Sequence, residues 1–274
     1  MLQEAVHRLL EEKARVIRSH IIAMLGEAGS GHPGGSLSAA DIMAVLYFHH
    51  MNIDPARPDW DHRDRFILSK GHAAPVLYAA LAEAGFFPVH ELGSLRKLGH
   101  MLQGHPDSKR TPGVEVSTGS LGQGLAVGNG IALGARLDGA DYRVYVLMGD
   151  GEMEEGMVWE AAMASAHYKI DNLVGIIDHN GLQIDGKITE VCSPEPLADK
   201  WRAFGWHVIE INGHDFNSIV DGLEEAKKIK GKPSMLIADT IKGKGVSFME
   251  NNADWHGSAP NKDQTIQALK ELSE

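Results

Sequence analysis

The sequence predicts an α/β fold in which a parallel sheet carries helices on both faces. Three features predict it. Short, nearly unbroken apolar runs such as Leu173-Val174-Gly175-Ile176-Ile177 read as strands buried on both sides. Helix-patterned segments of 10–15 residues separate them. Glycine and polar clusters follow the runs, at the carboxyl ends of strands, where such sheets bind ligands. No linker-like stretch interrupts the pattern, so residues 1–274 are expected to form one domain.

In chain order, apolar positions from Val6 to Leu25 recur near a 3.6-residue period and predict one or two helices over 3–28, stopped at Gly29, Gly31 and Pro33. Ser30 to Gly35 reads as a loop. Ser38 is placed to cap a helix over 39–49. Arg65 to Leu68 is a short strand, and a helix over 73–84 ends at Gly85. Residues 86–118 hold several prolines and glycines and no periodicity. A loop of that length inside a domain leans functional. Gly122 to Leu137 is a glycine- and alanine-rich helix, expected to pack closely against a neighbour. The strand Arg143–Met148, the helix Glu154–His167 and the strand Leu173–Ile177 follow. Next come a helix near 195–203, the strand His207–Ile211, a helix near 215–229 and the strand Ser234–Asp239. A helix over 263–272 closes the chain.

Composition excludes several classes. The net charge of -11 is spread along the chain and argues against a nucleic-acid binder, which needs a basic footprint. One cysteine, Cys192, permits neither an intrachain disulfide nor a thiolate metal cluster. No apolar run is long enough to span a bilayer, and the N-terminus, with Glu4, Glu11 and Glu12, is unlike a signal peptide. A cytoplasmic protein is the expectation.

Asp150 and Asn180 carry the strongest chemical signal. Each follows a predicted strand, and the two strands are consecutive, so their tips are expected roughly 5–10 Å apart. A carboxylate and an amide oxygen are hard ligands, suited to Mg2+ or Ca2+. Two such ligands leave most of the shell for phosphate and water, so a phosphorylated ligand is implied. Gly149 and Gly151 flank the aspartate and let an anion approach backbone N–H groups at the next helix start. A lone Gly-Asp-Gly is more often an ordinary tight turn. The asparagine at the next strand end shifts the balance. The order Gly-x-Gly-x-x-Gly of nicotinamide-binding folds is missing after this strand.

Gly149-Asp150-Gly151, followed after 28 residues by Asn180, resembles the thiamine diphosphate fingerprint. Ser30-Gly31-His32-Pro33-Gly34, Gly71-His72, Gly119 to Gly124 and His256-Gly257-Ser258-Ala259-Pro260 resemble the transketolase family, over nearly the whole chain. Transketolases contain a diphosphate-binding domain, a pyrimidine-binding domain and a C-terminal domain. The resemblance implies that this chain is the first of these, the N-terminal subunit of a split transketolase. Met1 and an intact final helix favour that reading over a truncation. The resemblance implies Asp150, Asn180 and the carbonyl of Leu182 as ligands of Mg2+ or Ca2+. It implies Gly151 on the diphosphate and Gly119, Ser120 and Leu121 along the cofactor. Ser120 stands where longer relatives have proline, which leaves that loop less rigid. Glu155 and Glu160 match acidic positions at a subunit interface.

Fifteen histidines are many, and most need no functional account. His7, His20, His49, His50, His62 and His90 read as surface or packing residues. His32, His72, His105 and His256 lie in Gly- or Pro-bounded loops and match histidines of the transketolase substrate channel. An imidazole suits proton exchange near neutral pH. The implied roles are proton transfer at substrate oxygens for His32 and His256, and contact with cofactor and donor for His72. His256 is also counted as cofactor-binding. His105 would bond the donor's ketol hydroxyls, with His100 a weaker candidate. Lys242 and Lys244 are more basic than the longer enzymes at this place and resemble deoxyxylulose-phosphate synthases; phosphate contact and a solvated loop are even readings.

The implied reaction moves a two-carbon ketol unit from a ketose phosphate to an aldose phosphate, with thiamine diphosphate as electron sink, in the pentose phosphate pathway. The glutamate that activates the cofactor lies on the missing pyrimidine domain. A separate C-terminal subunit is therefore expected to supply it, in an α2β2 heterotetramer. Other readings are a deoxyxylulose-phosphate synthase-like or 2-oxoacid dehydrogenase-like subunit, and a non-catalytic relative acting as a structural or regulatory partner.

Overall fold

Residues 2–273 are described by the computed structural model. The chain opens with one long helix, α1 (Glu4–Ala28), which buries Leu10, Ile17, Ile21 and Leu25 along one side. Gly29 ends it in the left-handed region at φ 62° and donates its N–H to the Leu25 carbonyl. The next segment differs from expectation. Pro33 to Ser38 is not wholly loop but a buried helical stretch, α2, with proline at a first-turn position that needs no N–H. Ser38 caps nothing; its hydroxyl donates to Asp178 Oδ2 at 2.6 Å. The helix foreseen over 39–49 is α3 (Ala40–Val45) running on into a wider π turn, Leu46–His50.

Strand β1 (Arg65–Leu68) leads through a tight turn into α4 (Ala74–Ala84), which Gly85 stops at φ 96°. Residues 86–118 are irregular apart from a 3-10 stretch at Val89–Ser94. Helix α5 (Gln123–Leu137) does pack closely: a Cβ on Gly128 would lie 2.7 Å from Val146 Cγ2. Strand β2 (Val144–Gly149), helix α6 (Gly156–His167) and strand β3 (Leu173–His179) follow. After β3 come a small hairpin of β4 (Leu182–Gln183) and β5 (Gly186–Lys187), then the short helices α7 (Ile188–Val191) and α8 (Leu197–Ala203). Strand β6 (His207–Asn212), α9 (Phe216–Lys228), β7 (Ser234–Asp239) and α10 (Lys262–Glu271) complete the order. Asp215 caps α9, and Asn261 with Gln264 forms a capping box on α10.

Five strands form a parallel sheet in the order β1-β2-β3-β7-β6. Successive side chains alternate between two cores, which is why the strands read as continuous apolar runs. Tyr145, Leu147, Val174, Ile176 and Leu236 join the core with residues of α1, α3, α4 and α9. Val146, Met148, Leu173, Ile177 and Met235 join the other with residues of α5, α6 and α8. Gly149 pairs with Asp178, and Asp178 with Ala238, so β2, β3 and β7 end nearly level. The residues after those ends share one edge.

Because α5 reaches the sheet at a glycine, Gly128→Ala should lower the melting temperature by roughly 2–10 °C through overpacking. Gly130→Ala, which meets nothing within 4 Å, is the control and should leave it unchanged or slightly raised in a thermal melt.

Candidate functional site

The edge is organised by Asp178, the penultimate residue of β3, which has no solvent exposure. Its Oδ2 accepts from the Ser38 hydroxyl at 2.6 Å, from Lys70 Nζ at 2.5 Å and from Asn180 Nδ2 at 3.1 Å. Its Oδ1 accepts from the Thr240 hydroxyl. Burial opposes the charge, but Lys70 and these hydrogen bonds outweigh it and hold the carboxyl below its ordinary value. Lys70, itself 1% exposed, also donates to the Gly35 carbonyl at 2.7 Å.

Asp150 follows β2 and Asn180 follows β3, on adjacent paired strands. Asp150 Oδ1 accepts from Gly151 N–H at 2.8 Å and Oδ2 from Gly181 N–H at 2.6 Å. The carboxylate thus touches the turn that carries Asn180 and Leu182. Burial, then the nearby Asp178 charge, push Asp150 up to about 6. The amide of Asn180 has a defined sense, because only its NH2 can meet the Asp178 carboxylate. Its Oδ1 accepts from Leu182 N–H at 3.2 Å. The carbonyl of Leu182 accepts from Lys242 Nζ at 3.1 Å and keeps a second lone pair.

These oxygens fit a hard cation. The described residues hold no group of three or more His, Cys, Asp or Glu side chains suited to a metal. An Asp, an Asn and a carbonyl are an incomplete shell, of the kind that phosphate oxygens and water fill. A cavity lies over them, lined also by His32, Lys70, His72, Gly119, Leu121, Gly151, Lys242 and His256.

Three loop histidines meet in its wall. His72 stacks on His256 at 5.2 Å between centroids, and His32 lies 5.3 Å from His72 and 5.6 Å from His256. All titrate low. Burial, then Arg96, lower His32 to about 4. Burial, then Lys242, lower His256 to about 3, and burial with Lys70 holds His72 well down. Neutral imidazoles can donate at one nitrogen and accept at the other. Lys242 Nζ lies 3.0 Å from His256 Nδ1, which makes that nitrogen the acceptor and leaves the proton on Nε2.

Residues 10–273 match the family model described as "Transketolase, thiamine diphosphate binding domain". The chain belongs to the transketolase family. It is 47% identical, over 96% of each chain, to a 6-deoxy-6-sulfo-D-fructose transketolase subunit of Clostridium sp. (strain MSTE9). It is 45% identical to one of the apulose-4-phosphate transketolase subunits of Phocaeicola vulgatus, over 97% of this chain and 94% of that one. Among solved structures, transketolase from Leishmania mexicana superposes with a TM-score of 0.91 at 34% identity, over 97% of this chain and 41% of that chain. The transketolase chain is thus about two-fifths of the solved enzyme and nearly the full length of the subunit-sized relatives. It is an enzyme component for thiamine diphosphate-dependent two-carbon ketol transfer.

Most residues singled out from this transketolase sequence gather at the cavity, but not all. His105 is exposed beside the wall, against Gly119, where a Cβ would lie 2.9 Å from its Cδ2. His100 is exposed on an outer turn and does not line the cavity. Ser120 is exposed between Gly119 and Leu121. Glu155 and Glu160 are exposed at the start of α6. Lys242 is 2% exposed in the wall, whereas Lys244 pairs with Glu250 at 3.4 Å. His50, expected as a surface or packing residue, is a packing one, buried against Tyr145 at the opposite end of the sheet.

Sequence reading missed Lys70, Asp178, Glu152, Ser38's role, Thr240 and Arg96. Lys70 stood in view beside Gly71-His72, and Asp178 two residues before Asn180. Neither spacing reveals that they pair. Arg96 signals itself only through its backbone, at φ 61° for a non-glycine residue.

The lowered histidines set a pH dependence of stability. Above their ordinary value of 6.5 they are neutral folded and unfolded, so nothing is lost. As pH falls from 6.5 toward 4, the unfolded chain takes up protons that the folded one refuses, and stability drops. Urea titrations of the chain at pH 7.5 and 4.5 should show a lower midpoint in acid, corresponding to an unfolding free energy about 2 kcal/mol smaller after allowance for partial exposure and for the opposite contribution of the raised Asp150. His256→Asn should weaken that dependence.

Proposed function

We propose that the chain is the diphosphate-binding subunit of a split transketolase, forming one domain over residues 1–274. The observation that carries the reading is the register of β2 with β3, which sets Asp150 and Asn180 side by side under the cavity. Bound thiamine diphosphate would supply the electron sink for ketol transfer. Asp150, Asn180 and the Leu182 carbonyl would hold Mg2+ or Ca2+, and that cation would hold the diphosphate. Gly151 brings its backbone close to the phosphate. Gly119, Ser120 and Leu121 line the cofactor with His72 and His256. Lys242, buried in the wall, would meet the diphosphate charge, whereas Lys244 is paired with Glu250.

His32 and His256 exchange protons with substrate oxygens, using the neutral imidazole form that burial favours. His72 contacts cofactor and donor. His105, on the open side, bonds the ketol hydroxyls. The substrates are sugar phosphates, in keeping with an anion site. The Clostridium relative is named for a sulfonated ketose and the Phocaeicola relative for apulose 4-phosphate, so an anionic terminal group is the common chemistry.

The partner is a C-terminal subunit bearing the pyrimidine-binding domain and the activating glutamate. The carboxylates lining the cavity, Asp150 and Glu152, already accept backbone N–H bonds within this chain. Two copies would pair through the outer face of α6, where Glu155, Met157, Glu160 and Met163 are exposed, giving α2β2. Among the described residues, no helix is long and apolar enough to cross a membrane. We place the enzyme in the cytoplasm and in pentose phosphate metabolism.

The chain mixed with its C-terminal partner, thiamine diphosphate and Mg2+ should transfer ketol units from a ketose phosphate, and the chain alone should not. Full activity without the partner would sink the split reading. Asp150→Ala should lower activity of the complex by at least ~100-fold and abolish Mg2+-dependent cofactor binding, read by calorimetry, with an unchanged circular dichroism spectrum. Normal binding by that variant would remove the metal assignment.

A further inference from the structure

Glu152 is a buried carboxylate for which ketol transfer, as set out above, has no use. It is 2% exposed and belongs to the short 3-10 turn Gly151–Glu154 after β2. Its oxygens accept from three separate segments. Oε2 takes the Gly149 N–H at 3.1 Å, from the end of β2. Oε1 takes the Gly122 N–H at 2.8 Å, from the start of α5, and the Ser69 hydroxyl, from the end of β1. Ser69 Oγ accepts in turn from Gly124 N–H at 3.2 Å. The fit leaves no spare room: a Cβ on Gly124 would lie 2.3 Å from Ser69 Oγ, and Gly122 sits at φ 86°.

The segment just before Gly122 is Gly119-Ser120-Leu121. Its three backbone N–H groups donate to no acceptor within the described chain. It is therefore held at its flanks, where Thr118 N–H donates to the Pro106 carbonyl at 3.3 Å and where Glu152 grips Gly122. Residue 120 is serine, so no pyrrolidine ring stiffens the segment.

We propose that Glu152 is a positioning residue that clamps the Gly119–Leu121 segment against the cofactor cavity, replacing by hydrogen bonds the rigidity that a proline at position 120 would provide. The clamp rests on reading the cavity as the thiamine diphosphate site. Glutamine is the informative substitute: it keeps the shape, but its NH2 cannot accept, so either Gly149 or the Gly122–Ser69 pair loses its acceptor. Alanine would strand all three donors.

The test uses Glu152→Gln, Ser69→Ala and Ser120→Pro in the full chain, alone and reconstituted with the partner subunit. Glu152→Gln should raise the thiamine diphosphate Kd about 10- to 100-fold at saturating Mg2+ and speed amide exchange at Gly122 and Gly124 more than tenfold. Ser69→Ala should do the same more mildly, about 2- to 5-fold. Ser120→Pro, at a residue whose φ is negative and whose N–H donates to no acceptor among the described residues, is also made alone, and its own Kd is the reference for the double variant. In the Glu152→Gln background it should restore affinity at least fivefold. Because a compatible proline also adds a little global stability, the rescue is read from Kd and from amide exchange at Gly122 and Gly124, not from melting temperature. Wild-type affinity in Glu152→Gln, unchanged exchange at Gly122 and Gly124, or no recovery with Ser120→Pro would each overturn the clamp. Failure of the wild-type complex to bind thiamine diphosphate would overturn the functional reading instead, and the exchange measurement on the chain would still decide the clamp.

Discussion

Everything at the edge of the sheet hangs on one ion pair, Lys70 with Asp178, taken out of water. Two buried charges are unfavourable unless each is matched and its remaining hydrogen-bonding capacity is filled. Here both conditions hold. Asp178 accepts four bonds, from Lys70, Ser38, Asn180 and Thr240, and Lys70 also donates to Gly35. Those partners come from α2, the turn after β1, the turn after β3 and the turn after β7. The pair therefore fixes four segments that have no contact in sequence. Removing one partner alone would leave a bare charge in the interior, at about 3–5 kcal/mol. The same pair orients the Asn180 amide and adds the negative neighbour that lifts Asp150. A cation between Asp150 and Asn180 would relieve a repulsion already built into the site.

The fold was legible because its signals are local. Apolar runs of the right length mark β1 to β3, β6 and β7, and glycines at 29 and 85 stop α1 and α4 as their left-handed backbone requires. Expectation failed at residues 33–38, foreseen as loop and helix cap. Gly34, Gly35 and Ser36 argue for loop by propensity, yet they are helical and buried, held by tertiary contacts such as Ser38 with Asp178. In the site, Asp150, Asn180, His32, His72 and His256 stood out because glycines and strand ends frame them. Lys70, Asp178 and Glu152 did not. Their meaning lies in pairs separated by 108 and 83 residues, and one sequence carries no sign of such pairing.

Net charge and local charge point in opposite directions here. The chain carries -11, yet the positive groups around the cavity, Lys70, Lys242 and Arg96, are strong enough to help hold three histidines neutral. Lys70 is neutralised by Asp178. Lys242 is not: its close partners, the Leu182 carbonyl and His256, are uncharged, and burial with the Lys70 charge lowers it to about 8. An anion arriving beside Lys242 would oppose that lowering. The net charge of the protein thus says little about its ligand, because two of these three cations, Lys70 and Lys242, are buried in the cavity wall, while Arg96 is exposed.

The commitments of the carboxylates decide what this chain can do alone. Asp178 answers Lys70, Glu152 answers three donors around the Gly119–Leu121 segment, and Asp150 answers two backbone amides at the metal turn. Each could leave its post only by stranding a buried donor, which costs about 1–3 kcal/mol per group. The two carboxylates of the cavity wall, Asp150 and Glu152, are thus already engaged by donors of their own chain. In the proposed function, these residues would hold a diphosphate and the activating glutamate would come from the partner subunit. With the activating glutamate on the partner, as proposed, grip and activation would draw on different carboxylates, and each could be carried by its own chain.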